Sequence, residues 1–278
     1  MITETRKISI NHGINLHLEV LESGKNQWLI VTHGLGEHSA RHRHLFDLFS
    51  EHYNICLYDL RGHGLSSGKR GYIESFEDYS KDLCELISCL TTEYSMKEYV
   101  LFGHSMGGLI VSDLMQNLGE KLKIYPKKVF LSSPAVSGTG FLGNLFNIMP
   151  SKFINKMKAL PSMQLSGLLD LSKLSHDPRV YESYVTDDLN ILKIHSHLIL
   201  ELVMRSKEVF SRPLGVKSEL YCVYGTLDGL VDANRIKNYF QTLEKKAVLC
   251  EVQGGYHELH NEIKKYRSVY EEFLTTSL

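Results

Sequence analysis

Between residues 5 and 33 apolar and polar positions alternate in three short runs, broken at Asn11-His12-Gly13 and at Ser23-Gly24-Lys25-Asn26. This pattern predicts two antiparallel strands in a hairpin, followed by a buried strand over Trp28 to Thr32. Beyond that strand the period changes. Helix-like segments at 42–52, 76–93 and 106–118 alternate with short apolar runs, Ile55 to Tyr58, Tyr99 to Phe102 and Lys128 to Leu131. The same grammar resumes with a strand from Glu219 to Tyr224, a helix over 232–243, a strand from Ala247 to Val252 and a final helix over 262–275. Such alternation implies an α/β fold, with a mainly parallel central sheet and helices on both faces. Residues 138–212 interrupt it: no strand is evident, Leu, Met and Phe recur at helical spacing, and prolines fall at Pro150, Pro161, Pro178 and, just beyond, Pro213. They are expected to form a helical cap (lid) inserted in a core made of 1–137 and 213–278. The cap would lie over the C-terminal edge of the sheet, where open α/β sheets place their sites.

Composition narrows the function classes. A chain of 278 residues, 43% hydrophobic, can bury a sizeable core, and one domain with an insertion suits it better than two independent domains. With 31 Lys+Arg against 32 Asp+Glu and no long basic run, it lacks the electrostatic footprint of a nucleic-acid binder. Cys56, Cys84, Cys89, Cys222 and Cys250 are odd in number, scattered and without a Cys-x-x-Cys pair, so reduced thiols and a cytoplasmic location are expected. No apolar segment of signal-peptide length follows Met1, and no run reaches the roughly 20 apolar residues of a membrane span. Membrane contact is therefore expected only peripherally, at the inner surface and through the cap, and nothing in the pattern sets an oligomeric state.

The chemistry centres on Ser105, in Gly103-His104-Ser105-Met106-Gly107, between the strand Tyr99 to Phe102 and the helix-like run Leu109 to Leu118. A serine on a tight strand-to-helix turn is held in a strained backbone conformation with its hydroxyl exposed. Glycines two residues to either side let strand and helix approach. The helix N-terminus points at the same spot, so the Met106 N–H is one expected oxyanion donor. The loop after Trp28 to Thr32, His33-Gly34-Leu35-Gly36-Glu37-His38, should supply the second through the Leu35 N–H.

A serine hydroxyl needs a base, and the base an orienting carboxylate. Asp228 follows one late strand in Gly225-Thr226-Leu227-Asp228, and His257 follows the last strand in Gly254-Gly255-Tyr256-His257-Glu258. Loops leaving parallel strands at the same edge put both beside Ser105, in the chain order Ser, Asp, His. Asp232 is the rival acid; it stands where a helix begins, and an N-cap role suits it better. Among the 14 histidines, His12, His17, His52, His176, His195 and His197 show no partner signature. His104 should be turned away from Ser105, and His63 should pack beneath the site. His257-Glu258-Leu259-His260 spaces its histidines by three rather than the four of the zinc-protease helix, so no metal is expected there. His38, His42 and His44 read as a polar loop and helix face. No cofactor is expected.

Taken together, His33-Gly34-Leu35-Gly36-Glu37-His38-Ser39, Tyr58-Asp59-Leu60-Arg61-Gly62-His63-Gly64-Leu65-Ser66, Arg70-Gly71, Gly103-His104-Ser105-Met106-Gly107-Gly108, Ser133-Pro134-Ala135 and His257-Glu258-Leu259-His260-Asn261-Glu262 resemble the monoacylglycerol lipase and lysophospholipase branch of the α/β-hydrolases. The resemblance covers nearly the whole chain outside the cap. It implies a Ser105, Asp228 and His257 triad with Leu35 and Met106 as oxyanion donors, and a cap that receives an acyl chain. The activity it implies is hydrolysis of a single-chain lipid ester, monoacylglycerol first. Lysophospholipase and general carboxylesterase or thioesterase activities are the alternatives, and a non-enzymatic lipid-binding protein is the remote one. In the cap, Phe141, Leu142, Leu145, Phe146, Ile148, Met149, Phe153, Ile154 and Met157 share a segment with Lys152 and Lys156, which suits an acyl tunnel or a membrane interface.

Overall fold

The computed structural model describes residues 2–10, 13–139, 143–145, 148–167, 169–243 and 247–278. The hairpin appears as β1 (Ile2–Ile10) and β2 (Ile14–Glu22), antiparallel with Ile8 opposite Leu16. β3 (Gln27–Thr32) and β4 (Asn54–Tyr58) follow, then β5 (Glu98–His104), β6 (Lys128–Ser132), β9 (Glu219–Gly225) and β10 (Val248–Val252), with β7 (Gln164–Ser166) and β8 (Lys193–His195) in a separate two-stranded sheet. The sheet order is β1-β2-β4-β3-β5-β6-β9-β10; β1 and β2 are the antiparallel members and every pair from β4 to β10 is parallel.

Alternation of side chains along the strands builds two cores. Trp28, Ile30, Tyr58 and Leu101 face one side, packed with Leu83, Leu86 and Leu90 of α2 (Glu77–Glu93) and Leu109 and Ile110 of α3 (Met106–Asp113). Leu29, Val31, Phe102 and Phe130 face the other, against Leu45 and Phe49 of α1 (His44–Phe49) and against Tyr270 and Leu274 near the C-terminus. Burial of both faces explains why these strands read as continuous apolar runs.

Two expected elements come out differently. The helix expected over 42–52 is a 3-10 turn, Ser39–His42, followed by the short α1. The helix from 106 relaxes into a π turn at Leu114–Leu118, where Asp113 is buried against Ser80 and Asn117.

The segment between β6 and β9 carries α4 (Ser151–Lys158), α5 (Pro178–Thr186) and α6 (Ser196–Val209). It also holds a ribbon, β7 (Gln164–Ser166) paired antiparallel with β8 (Lys193–His195), where the sequence had shown no strand. Three residues a side are too few for a period of two to show. Phe141, Leu142 and Phe146 lie outside the described residues. The fold closes with α7 (Ala233–Gln241) and α8 (Lys264–Ser277). Among the described residues no helix is long and apolar enough to cross a membrane.

Candidate active site

Ser105 stands between β5 and α3 at φ +54° and ψ −119°, a conformation that a non-glycine residue holds only when its surroundings enforce it. Those surroundings are backbone. The Ser105 N–H donates to Ser132 O at 2.9 Å, and its carbonyl accepts from Ala135 N at 3.0 Å and Leu109 N at 3.2 Å. A Cβ at Gly103 would lie 2.6 Å from the Gly107 carbonyl oxygen, and one at Gly107 would fall on the Thr32 carbonyl, so strand and helix meet closer than any side chain permits.

His257 and Asp228 arrive from loops after β10 and β9. The Ser105 hydroxyl lies 2.9 Å from His257 Nε2, and His257 Nδ1 lies 2.6 Å from Asp228 Oδ2. The other Asp228 oxygen accepts from the N–H groups of Leu230 (2.8 Å) and Val231 (2.9 Å), which fixes the carboxylate plane. Burial alone would lower the His257 pKa, but the Asp228 carboxylate, with Glu258 and Glu37 farther off, raises it above the ordinary imidazole value. Asp232 caps α7, accepting from Asn234 N at 3.0 Å and Arg235 N at 3.2 Å.

Met106 is the first residue of α3, so its N–H belongs to the helix's unsatisfied first turn. Leu35 lines the same cavity as Ser105 and Met106, and a Cβ on the preceding Gly34 would lie 3.1 Å from Ser105 Cβ. Gly34 itself donates to Glu37 Oε1 at 2.5 Å, which shapes the loop that presents Leu35.

Glu37 begins a set of residues whose roles the sequence did not disclose. Its carboxylate is buried, which alone would raise its pKa. His42, His104 and Arg41 nevertheless hold it well below the ordinary carboxylate range. Arg41 reaches Glu37 at 3.3 Å and Glu258 at 2.5 Å, and its guanidinium lies 4.8 Å from the Tyr184 ring of α5. Glu262 likewise ties segments together, accepting from Tyr256 N at 2.8 Å, His176 N at 3.1 Å and His176 Nδ1 at 2.8 Å. His176 thus has partners after all and stacks on Tyr256 at 3.7 Å. These pairs join positions up to 217 residues apart, beyond the reach of any local spacing rule.

The other histidines resolve as follows. His63 is buried, bonded to the Arg61 carbonyl at 3.1 Å, and its pKa falls to about 3 through burial. His33 accepts from Leu60 N through Nε2 at 2.9 Å. His38 and His42, expected on a polar face, are interior: His38 meets Asp187 at 2.8 Å and His42 meets Glu37 at 3.0 Å. His42 is covered by the loop after β10, where His260 packs on it, and His38 by the segment that carries Asp187. His12 lies outside the described residues.

Above Ser105 opens a cavity of about 1170 Å³. One wall is the α6 face of Ile199, Leu202, Val203 and Ser206, positions that recur at helical spacing, with Phe210 at its C-cap. The segment from 138 to 212 rests on the loops below. Ile191 N donates to Gly36 O at 2.7 Å, Glu258 N to Leu174 O at 2.8 Å, and the Arg70 guanidinium to Leu189 O at 2.9 Å. Outward, Ile148, Phe153, Leu160 and Met163 are exposed, Phe153 on α4 with Lys152 and Lys156. Lys158 is not free, being paired with Glu201.

A family model described as Hydrolase_4, serine aminopeptidase, S33, matches residues 24–264. An uncharacterised abhydrolase domain-containing protein of Dictyostelium discoideum is 30% identical over 254 residues, 88% of this chain; the chain spans only 25% of that protein's length. The monoacylglycerol lipase of Mycolicibacterium smegmatis is 25% identical over 238 residues, 84% of this chain and 82% of that protein. Among solved structures, a monoacylglycerol lipase of Paleococcus ferrophilus superposes with a TM-score of 0.77 at 24% identity, over 100% of this chain and 98% of that one, a likeness of fold.

Proposed function

The chain belongs to the Hydrolase_4 (serine aminopeptidase, S33) family of α/β-hydrolases, and we propose that it cleaves the ester of a single-chain lipid, monoacylglycerol first, through an acyl-enzyme on Ser105. The observation that carries the proposal is the large cavity over Ser105 walled by the apolar face of α6. An acyl chain gains from such a wall along its whole length.

In this reading Ser105 Oγ attacks the ester carbonyl while His257 Nε2 takes its proton. Asp228 holds the Nδ1 proton and stabilises the imidazolium. The Leu35 and Met106 N–H groups receive the tetrahedral oxyanion. Glycerol leaves with the proton from His257, and water repeats the sequence on the acyl-enzyme. Residues 138–212 act as the cap over core residues 1–137 and 213–278, and the exposed Ile148, Phe153, Leu160 and Met163 give it an apolar surface for a lipid interface.

A substrate series tests this: monoacylglycerols of increasing chain length, lysophosphatidylcholine, a diacylglycerol and short p-nitrophenyl esters. Medium to long monoacylglycerols should have the highest kcat/KM, each buried methylene contributing up to about 0.8 kcal/mol. Diacylglycerol should be poor. No gain on lengthening the chain would leave only a general esterase. Leadership of lysophosphatidylcholine would favour the lysophospholipase reading, with Lys152 and Lys156 rather than the paired Lys158 as phosphate partners.

A further inference from the structure

Five histidine rings, His42, His44, His104, His257 and His260, pack against one another beside the triad. His42 lies 4.8 Å from His260 and 5.5 Å from His104, His44 stacks on His260 at 5.0 Å, and His104 lies 5.0 Å from His257. Phenylalanine would fill this space without the cost of burying ring nitrogens, so the nitrogens call for a reason. His257 is accounted for by Asp228 and Ser105. Among the described residues, however, neither nitrogen of His260 has a hydrogen-bond partner, nor does Nδ1 of His42 or of His104.

The same cluster holds a carboxylate. Glu37, His42 and His260, all buried, offer one ligand atom each, and these atoms lie within 4.8 Å of one another. We propose that Glu37, His42 and His260 form a binding site for a borderline divalent transition ion, Zn²⁺ above all, which clamps the Leu35 loop to the His257 loop. Two imidazoles and one carboxylate are a donor set that suits Zn²⁺. Bonds of about 2.0–2.2 Å to a tetrahedral ion bring ligand atoms to roughly 3.4 Å apart, so the side chains must close by an ångström or so. The ion takes the place of the hydrogen now shared between Glu37 Oε1 and His42 Nε2 at 3.0 Å. Arg41 stays on the other Glu37 oxygen, and His104 is the candidate fourth ligand.

Charge favours this. Glu37 and Glu258 face one cation, Arg41, which leaves a buried excess of negative charge that a divalent ion reverses. A route exists as well, because Glu37 and His104 line the cavity over Ser105. Sequence spacing concealed the site: it draws one residue from the β10 loop and two from a segment more than two hundred positions earlier.

The test uses the purified full chain, stripped with chelator and then equilibrated with Zn²⁺ alone, metal per chain being read by mass spectrometry and Co²⁺ by its visible spectrum. One equivalent per chain, a raised melting temperature and an imidazole-type Co²⁺ spectrum are expected. His42→Phe and His260→Phe should each weaken Zn²⁺ binding at least about a hundredfold, while Ser105→Ala binds as the parent does. Substoichiometric binding to folded parent protein overturns the site. So does undiminished binding in both phenylalanine variants, which would place the ion elsewhere. If either variant fails to fold, the other and the Co²⁺ spectrum of the parent still decide. Fluorophosphonate labelling of Ser105 reads the hydrolase assignment separately, so failure of one does not mimic failure of the other.

Discussion

The two acids near the site separate by what they touch. Asp228 holds His257 Nδ1 at 2.6 Å and Asp232 holds two backbone N–H groups of α7. Asp228→Asn should therefore lower kcat by about three to four orders of magnitude with little change in melting temperature, since the imidazole loses the acceptor that sets its tautomer. Asp232→Asn should leave kcat near the parent value and cost at most about 1 kcal/mol of stability, asparagine being nearly as good a cap. Steady-state kinetics and urea unfolding on both variants check this, and a reversal would exchange their roles. The pH profile follows from the same contact. His257 must be neutral to take the serine proton, and its pKa is raised, so the acid limb of kcat/KM should lie above the ordinary imidazole pKa of about 6.5. In Asp228→Asn the residual activity should show that limb moved to lower pH. At this scale Ser105, Asp228, His257, Leu35 and Met106 could be nominated because each follows a strand or opens a helix, and the structure brings Ser105, His257 and Asp228 into contact. Glu37, Arg41 and Glu258 could not, because their meaning is a mutual contact across the fold.

Elements place these residues through close backbone approach, and glycine marks where the approach matters. At Gly107 a methyl group would fall on the Thr32 carbonyl, forcing α3 away from β3 and moving the Met106 N–H with it. A Cβ on Gly119, three turns on, would lie 3.5 Å from the Tyr125 ring, an ordinary contact, and φ there is −55°. Gly107→Ala should cost several kcal/mol or prevent folding, and Gly119→Ala should fall within about 0.5 kcal/mol of the parent. Melting curves distinguish the two, and a tolerated Gly107→Ala would mean that the turn between β5 and α3 is looser than its contacts indicate. The strands of the core were legible as short apolar runs because both faces of the sheet are covered. The β7–β8 ribbon was not, since its pairing rests on three residues a side and its neighbourhood reads as helical. The 3-10 turn at Ser39–His42 was hidden for another reason: the loop after β10 packs on it through His260, so its one histidine, His42, looks polar in sequence and is interior in space.

At the scale of the whole molecule, the buried histidines set how the chain responds to acid. Burial lowers the pKa of His33, His44, His63, His104 and His260, His44 and His63 to about 3. In the unfolded chain each would titrate near 6.5, so below that pH the unfolded state binds protons that the folded state refuses. Stability from these groups is complete above about pH 6.5 and is lost as pH falls toward their folded values, by at most about 1.4 kcal/mol per pH unit for each. His257 has the opposite sign. Its raised pKa contributes stability that is complete below about pH 6.5 and lost as pH rises through the folded value, so it acts above the window in which the five lose theirs. Glu37 and Asp59, both lowered, lose their contribution only as pH falls below the ordinary carboxylate range. The urea midpoint should therefore drop between pH 6.5 and 5.5, although Asp82, raised by burial to about 6, takes up a proton in the folded state within this window and offsets part of the loss from the five histidines. His44→Gln should flatten that slope by up to about 1.4 kcal/mol per pH unit, because the group that refuses the proton is gone from both states. A midpoint that stays level across this window, or a slope unchanged in His44→Gln, would show that the cluster takes up protons in place and that its rings are wetter than their burial indicates.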